Sequence, residues 1–274
     1  MPISALLLAL GAAFLHALWN LLLARERDPQ AATAVALCAP VVVFAPVAVA
    51  VWEIDSRVWP FVAVTSLLQL LYFGLLATAY RRADLSFVYP LARGLAPVLV
   101  LPAGALAVGQ GASVAQALGV VVVASGVLLV RGPKGDADPR DALLALGVAA
   151  CIAAYTLIDA HGVGYAPPLV YLELSMVPAA LGYLVGFVVF AGGRRVREQR
   201  LVLPALAGIL SFAAYALVLV ALQRASAASV AAVRETSVVI ATALAAWLLR
   251  ERVSRWRLAG AGLVVVGIAL LGLD

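Results

Sequence analysis

Two arginines, Arg93 and Arg234, stand 141 residues apart, each in the middle of an otherwise apolar run, and Glu235 follows the second directly. A guanidinium offers a planar fork of donors that fits a carboxylate or phosphate bidentately. The chemistry implied is capture of an anionic group by one arginine or by both. Neighbours such as Arg234 and Glu235 point about 100° apart on a helix, so one can face a cavity while the other faces another helix. A purely structural alternative is that Arg93 pairs with Glu235 and the pair only holds the bundle together. Tyr89 lies one turn before Arg93 on the same helical face, and Pro90 and Pro97 loosen the backbone around it.

Further polar groups recur at matching places. His16 and Asn20 are four residues apart on the first apolar run with Trp19 between them, and Tyr155 and Asp159 repeat that spacing on the sixth. Gln69, Tyr72 and Phe73 on the third run lie opposite Ser211, Ala214 and Tyr215 on the eighth at an offset of 142. The candidate binding residues are therefore Arg93, Arg234, Glu235 and Tyr89 around the charges, with His16, Trp19, Asn20 and Tyr155. The third and eighth runs add Gln69, Tyr72, Ser211 and Tyr215. An imidazole exchanges protons near neutrality, so His16 joins Glu173 and Glu235 as a proton-coupling candidate.

These groups are positioned by helices in a bilayer. The chain has 274 residues, 65% of them hydrophobic and only 12% charged, with a mean hydropathy of +1.08. Soluble domains do not have this composition. Apolar runs of spanning length lie at Ile3–Ala24, Ala31–Trp52, Val58–Tyr80, Leu85–Ala107 and Val114–Val130. After the polar stretch from Arg131 to Asp141, five more follow at Ala142–Ile158, Leu169–Ala191, Leu201–Leu222, Ser226–Leu249 and Leu258–Leu273. A spanning segment must satisfy its backbone internally, which runs of this length do as helices. If the fourth enters the bilayer near Leu85, a rise of about 1.5 Å per residue puts Arg93 roughly 12 Å deep, near the middle of a core about 30 Å thick. A charge there costs about 2.5–3.5 kcal/mol, so the two arginines and Glu235 must pair or line a wet cavity.

The expected fold is an all-α integral membrane protein of ten transmembrane helices. Residues 1–130 form one five-helix unit, 131–141 a polar link and 142–274 a second unit. A shift of 141 residues superposes Arg93 on Arg234, Ser113 on Ser254, Gly119 on Gly260 and Gly126 on Gly267. An odd number of helices per unit puts the copies in opposite orientations, the inverted-repeat plan of many secondary transporters. Gly119, Gly126, Gly260, Gly262 and Gly267 are read as packing contacts, because small residues let helices approach closely.

Three stretches carry a resemblance: HALWN at His16 to Asn20, LSFVYPLARGLAPVL at Leu85 to Leu99, and LLRERVSRWRLAGAGLVVVGIALL from Leu248 to Leu271. Through them the chain resembles the drug/metabolite transporter superfamily of the kind built from two EamA-type repeats. The resemblance implies ten helices in two inverted repeats that move small metabolites through a central cavity. The first half departs from the pattern at Gly109-Gln110-Gly111, where the family often has an acidic-basic pair like Glu251-Arg252.

The function expected is secondary transport of a small anionic or zwitterionic metabolite by alternating access. The alternatives are export of amphipathic cations or drugs, with Glu173 as the dominant charge, and a non-transporting membrane scaffold. No HExxH, GxSxG or Asp-rich motif points to an enzyme. The two cysteines, Cys38 and Cys151, have no metal-binding or disulfide spacing, so neither a metal nor another cofactor is expected. The expected partners are the small-molecule substrate and the lipid bilayer, for a monomer or a homodimer in the plasma (inner) membrane. The net charge of +5 sits in short loops and reads as a topology signal rather than as a nucleic-acid surface. Loops counted odd from the N-terminus hold fifteen basic residues, whereas the even loops hold Arg57 and Arg224 only. That puts the odd loops in the cytoplasm and both termini outside; the family resemblance implies the reverse.

Overall fold

The computed structural model describes residues 1–23, 26–82, 85–108, 113–131, 138–248 and 254–272, and all regular structure among them is helical. The first half holds α1 (Ile3–Leu23), α2 (Pro29–Ala50), a 3-10 turn (Ser56–Val58), α3 (Trp59–Arg82), α4 (Leu85–Val108) and α5 (Val114–Arg131). The second holds α6 (Pro139–Gly162), α7 (Pro168–Ala191), a short α8 (Gly193–Arg197), α9 (Val202–Leu222), α10 (Ala227–Arg234), α11 (Thr236–Leu248) and α12 (Arg255–Gly272). Six apolar stretches among the described residues are long enough to cross a bilayer, in α1, α2, α3 with its preceding turn, α6, α7 and α9. Shorter apolar stretches lie in α4, α5 and α12.

Local sequence explains where these helices begin and end. Asp28 accepts from the Ala31 amide and Asp138 from the Arg140 amide, each ahead of a proline at the first helical position. A proline there loses no hydrogen bond and its φ is already helical. Gly192, at φ 88°, ends α7 in a conformation that side chains disfavour. Asp55 caps the 3-10 turn, and hydrogen bonds from Arg57 push its exposed carboxyl down to about 2.

The largest departure from the sequence expectation is in the ninth run. It is not one helix: α10 stops at Arg234, Glu235 forms a turn, and α11 starts at Thr236. The Glu235 amide bonds to Ala232 O and the Val238 amide to Glu235 O, both at 3.0 Å, so the chain tightens to i→i+3 bonding. Thr236 Oγ1 takes up Val233 O at 2.6 Å, satisfying a carbonyl near the break. Three smaller corrections accompany it. The sixth helix continues past Ile158 to Gly162, the basic stretch after Ala191 contains α8, and a Cβ on Gly262 would meet nothing within 4 Å, so Gly262 is not a packing contact. Residues 132–137 of the polar link and the turns at Gly109-Gln110-Gly111 and Glu251-Arg252 lie outside the described residues, as do the basic residues Arg25, Lys134 and Arg250.

The halves interlock. α1 packs on α9 while α6 packs on α3, and α2 touches both α7 and α9. α5 and α12 run antiparallel: a Cβ on Gly119 would fall 2.9 Å from Gly267 O, and one on Gly126 would fall 2.7 Å from Gly260 O. Gly208 brings α9 against α2, where a Cβ would sit 2.0 Å from Ala36 O. Large apolar side chains such as Phe190 and Leu106 point outward, 90% and 89% exposed. Such a surface needs lipid to cover it.

The loops sort onto two faces. Arg195 of α8 pairs with Asp28 at 2.7 Å and Gln199 donates to Glu26 at 2.7 Å, joining the α1–α2 loop to the loop after α7. The Asp55 amide donates to Tyr165 O at 2.8 Å and Arg57 stacks on the Tyr165 ring, joining the α2–α3 loop to the α6–α7 loop. Among the described residues, these two contacts each join loops of like parity.

Candidate functional site

A cavity of about 750 Å³, open solvent at its mouth included, lies between the halves, and both Arg93 and Arg234 line it. Arg93 comes from α4. Its Nε donates to Glu235 Oε2 at 3.1 Å and its Nη2 to Ser237 Oγ at 3.4 Å, so it holds the turn residue between α10 and α11 and the first turn of α11. Arg93, Glu235 and Ser237 are all buried. Glu235 is spent on this pair and does not line the cavity. The pairing anticipated as a purely structural arrangement thus exists, yet its arginine still borders open space.

Arg234 differs. Among the described residues it forms no ion pair; its guanidinium carbon sits 5.4 Å over the ring of Tyr215. A cation held by an aromatic face keeps its donors available. Tyr215 in turn meets Tyr155 edge-on at 5.7 Å, and Tyr155 meets Tyr72 edge-on at 6.1 Å. This aromatic chain forms part of the cavity wall.

Of the other residues singled out from the sequence, His16, Trp19, Gln69 and Ser211 line the cavity, as do Tyr72, Tyr155 and Tyr215. Trp19 Nε1 donates to His16 Nδ1 at 3.1 Å, which ties the imidazole to its own helix. Asn20 turns away from the cavity: its amide donates to His16 O at 2.8 Å and it is not part of the lining. The side chain of Tyr89 lies outside the described residues. Glu173 is buried near the start of α7, outside the cavity lining, and its Oε2 has no hydrogen-bond partner among the described residues.

Sequence reasoning carried Asp159 no further than its place opposite Asn20, and the apolar run drawn for the sixth helix stopped one residue before it. In the structure it is fully buried and anchors a cluster. Thr65 Oγ1 and Tyr171 OH donate to Oδ1 at 2.5 and 2.7 Å, and Tyr215 OH donates to Oδ2. Its i+4 spacing from the cavity-lining Tyr155 was the available signal. Gly162 was missed as well. A Cβ there would fall 2.4 Å from Tyr171 Cε2, so only glycine lets the Tyr171 ring pass over α6 on its way to Asp159.

Comparison with known proteins follows from this geometry. The model of the EamA-like transporter family matches residues 3–132 and again residues 140–273. No curated protein matches the chain. Among 27 matching solved chains, one described only as "Crystal structure of protein" aligns over 98% of both chains with a TM-score of 0.81 and 19% identity. At that identity the likeness is one of fold.

Proposed function

Since the chain belongs to the EamA-like transporter family, and is thereby a multi-pass membrane transporter, we propose that it is a secondary carrier of a small anionic or zwitterionic metabolite, working by alternating access. The observation that carries this reading is one cavity lined by both Arg93 and Arg234, with Arg93 ion-paired and Arg234 held by the Tyr215 ring and the Tyr155 hydroxyl and, among the described residues, in no ion pair. A buried charge without a counter-ion is costly. An arriving carboxylate, phosphate or sulfonate would supply that counter-ion and gain bidentate hydrogen bonds in doing so. Export of amphipathic cations would call for a carboxylate at the cavity; Glu173 is not in its lining and Glu235 is engaged by Arg93.

The ten-span, inverted-repeat arrangement belongs to the same proposal. It is supported by the double family match, by the antiparallel contact of α5 with α12, and by the sorting of odd and even loops. Equivalent helices related by a two-fold axis in the membrane plane must run antiparallel where they meet. The break at Glu235 fits the discontinuous helices that carriers place at their binding sites. Plasma-membrane location, with the odd loops cytoplasmic, follows from the arginine distribution.

Thermal unfolding of the purified full chain against a panel of small carboxylates, phosphates, amino acids and organic cations tests the reading. At least one anionic or zwitterionic compound should raise the midpoint in the native chain and fail to do so in Arg234→Gln. Stabilisation by cations alone, or an unchanged response in Arg234→Gln, would defeat it.

A further inference from the structure

Asp159 on α6 is completely buried and forms no ion pair among the described residues. Three hydroxyls converge on it from three other helices: Thr65 of α3 and Tyr171 of α7 at Oδ1, and Tyr215 of α9 at Oδ2. Thr65 Oγ1 and Tyr171 OH also touch each other at 3.1 Å, and both side chains are sealed from solvent. Tyr215 alone of the three lines the cavity. It is therefore the one link between the carboxyl and the space that Arg93 and Arg234 border.

Such a carboxyl has two satisfied states. Ionised, it accepts from all three hydroxyls. Protonated, it has an O–H of its own to donate, and one hydroxyl must change from donor to acceptor. A phenol can do either, and Tyr215 is the one of the three that both bonds Asp159 and lines the cavity. A hydronium in the cavity passes its proton to the Tyr215 oxygen and is left as water, while the phenol hands its own proton to Oδ2. One O–H bond forms for each that breaks, and the phenol ends neutral.

Resting on the carrier reading above, we propose that Asp159 is the proton-binding carboxyl of this protein, loaded and unloaded through Tyr215, so that the coupling ion is a proton. The remaining charged and titratable groups around it fit that role. Arg234 of α10 lies over the far face of Tyr215, Tyr155 precedes Asp159 on its own helix, and Tyr72 of α3 meets Tyr155. Arg93 of α4 is neutralised by Glu235, and His161 of α6 bonds its own backbone at Leu157 O on the exposed side. Neutralising Asp159 removes the negative charge behind Tyr215 and leaves the fixed charge of Arg234 less compensated at the cavity. Proton and anion then favour each other's binding, reciprocally. An alkali ion would need oxygen ligands spaced around it, whereas here the hydroxyls sit at hydrogen-bond distance from the carboxyl.

Infrared difference spectra of the full chain in lipid vesicles, taken between mildly acidic and mildly alkaline buffers with no substrate added, test this directly. The native chain should show the carbonyl band of a protonated carboxylic acid. The band should be lost entirely in Asp159→Asn, kept in Glu173→Gln and Glu235→Gln, and kept but displaced in Tyr215→Phe. A spectrum with no Asp159-dependent band would make Asp159 a permanently charged tie between helices and overturn the proposal, as would a band that answers to sodium rather than to pH. If Asp159→Asn fails to fold, Tyr215→Phe decides, because an undisplaced band there overturns the proposal equally. No substrate enters the measurement, so its failure leaves the carrier reading standing. Absence of any ligand response, with the band present, would count against the carrier reading instead.

Discussion

Arg93 Nε lies 3.1 Å from Glu235 Oε2, an ion pair between residues 142 apart in sequence that bridges the halves where α10 gives way to α11. Removing one partner of a buried pair strands the other's charge, at a cost of about 3–5 kcal/mol. Glu235→Ala should therefore lower the unfolding midpoint in detergent sharply. The double variant Arg93→Met, Glu235→Met should recover most of the loss, because no lone charge remains; a double variant as unstable as the single one would contradict the pairing argument.

Arg234 should behave in the opposite way. Among the described residues it has no ion-paired carboxylate to strand, so Arg234→Gln should cost the contacts with the Tyr215 ring and the Tyr155 hydroxyl, about 0.5–2 kcal/mol. Ligand-induced stabilisation should vanish in the same variant. Unfolding midpoints with and without the active compound separate the two effects.

The glycines of α5 and α12 divide into two kinds. Gly126→Ala and Gly267→Ala would each put a methyl within 3 Å of facing backbone, at 2.7 Å from Gly260 O and 2.8 Å from Gly119 O respectively. Each should lower stability by about 1–3 kcal/mol through overpacking. Gly262→Ala faces open space and should be neutral to within about 0.5 kcal/mol. Equal effects at all three positions would refute the close α5–α12 approach.

Gly162→Ala tests the Asp159 cluster from a distance. The added methyl would collide with the Tyr171 ring rather than with a flexible chain end, so the ring must shift and its bond to Asp159 lengthen. Stability should fall by about 1–3 kcal/mol, and the carboxylic-acid infrared band should move in frequency. An unmoved band would show that Tyr171 does not set the state of Asp159.

Membrane orientation follows from loop charge. With fifteen basic residues in the odd loops, an enzymatic reporter that works only in the cytoplasm should be inactive when fused after Asp274 and active when inserted into the loop after Ala191. The reverse pattern would mean that packing or family topology outweighs the arginine bias.

Apolar segment length, the enclosed setting of the two arginines and the duplication were legible in the chain because each is a local property of composition or spacing. Insertion into lipid selects on that property alone. Tertiary contact decided the rest. The ninth run reads as an uninterrupted apolar helix, and its break at Glu235 is accompanied by Arg93, which arrives from another helix to meet the turn residue and Ser237 just after it. Asp159 reads as the polar end of a hydrophobic stretch; its hydroxyl partners lie 94, 12 and 56 residues away, and only folding brings them to one carboxyl. Periodicity along a helix reports which face is apolar, but a buried polar group is defined by what other helices bring to it, and that information is spread over the whole chain.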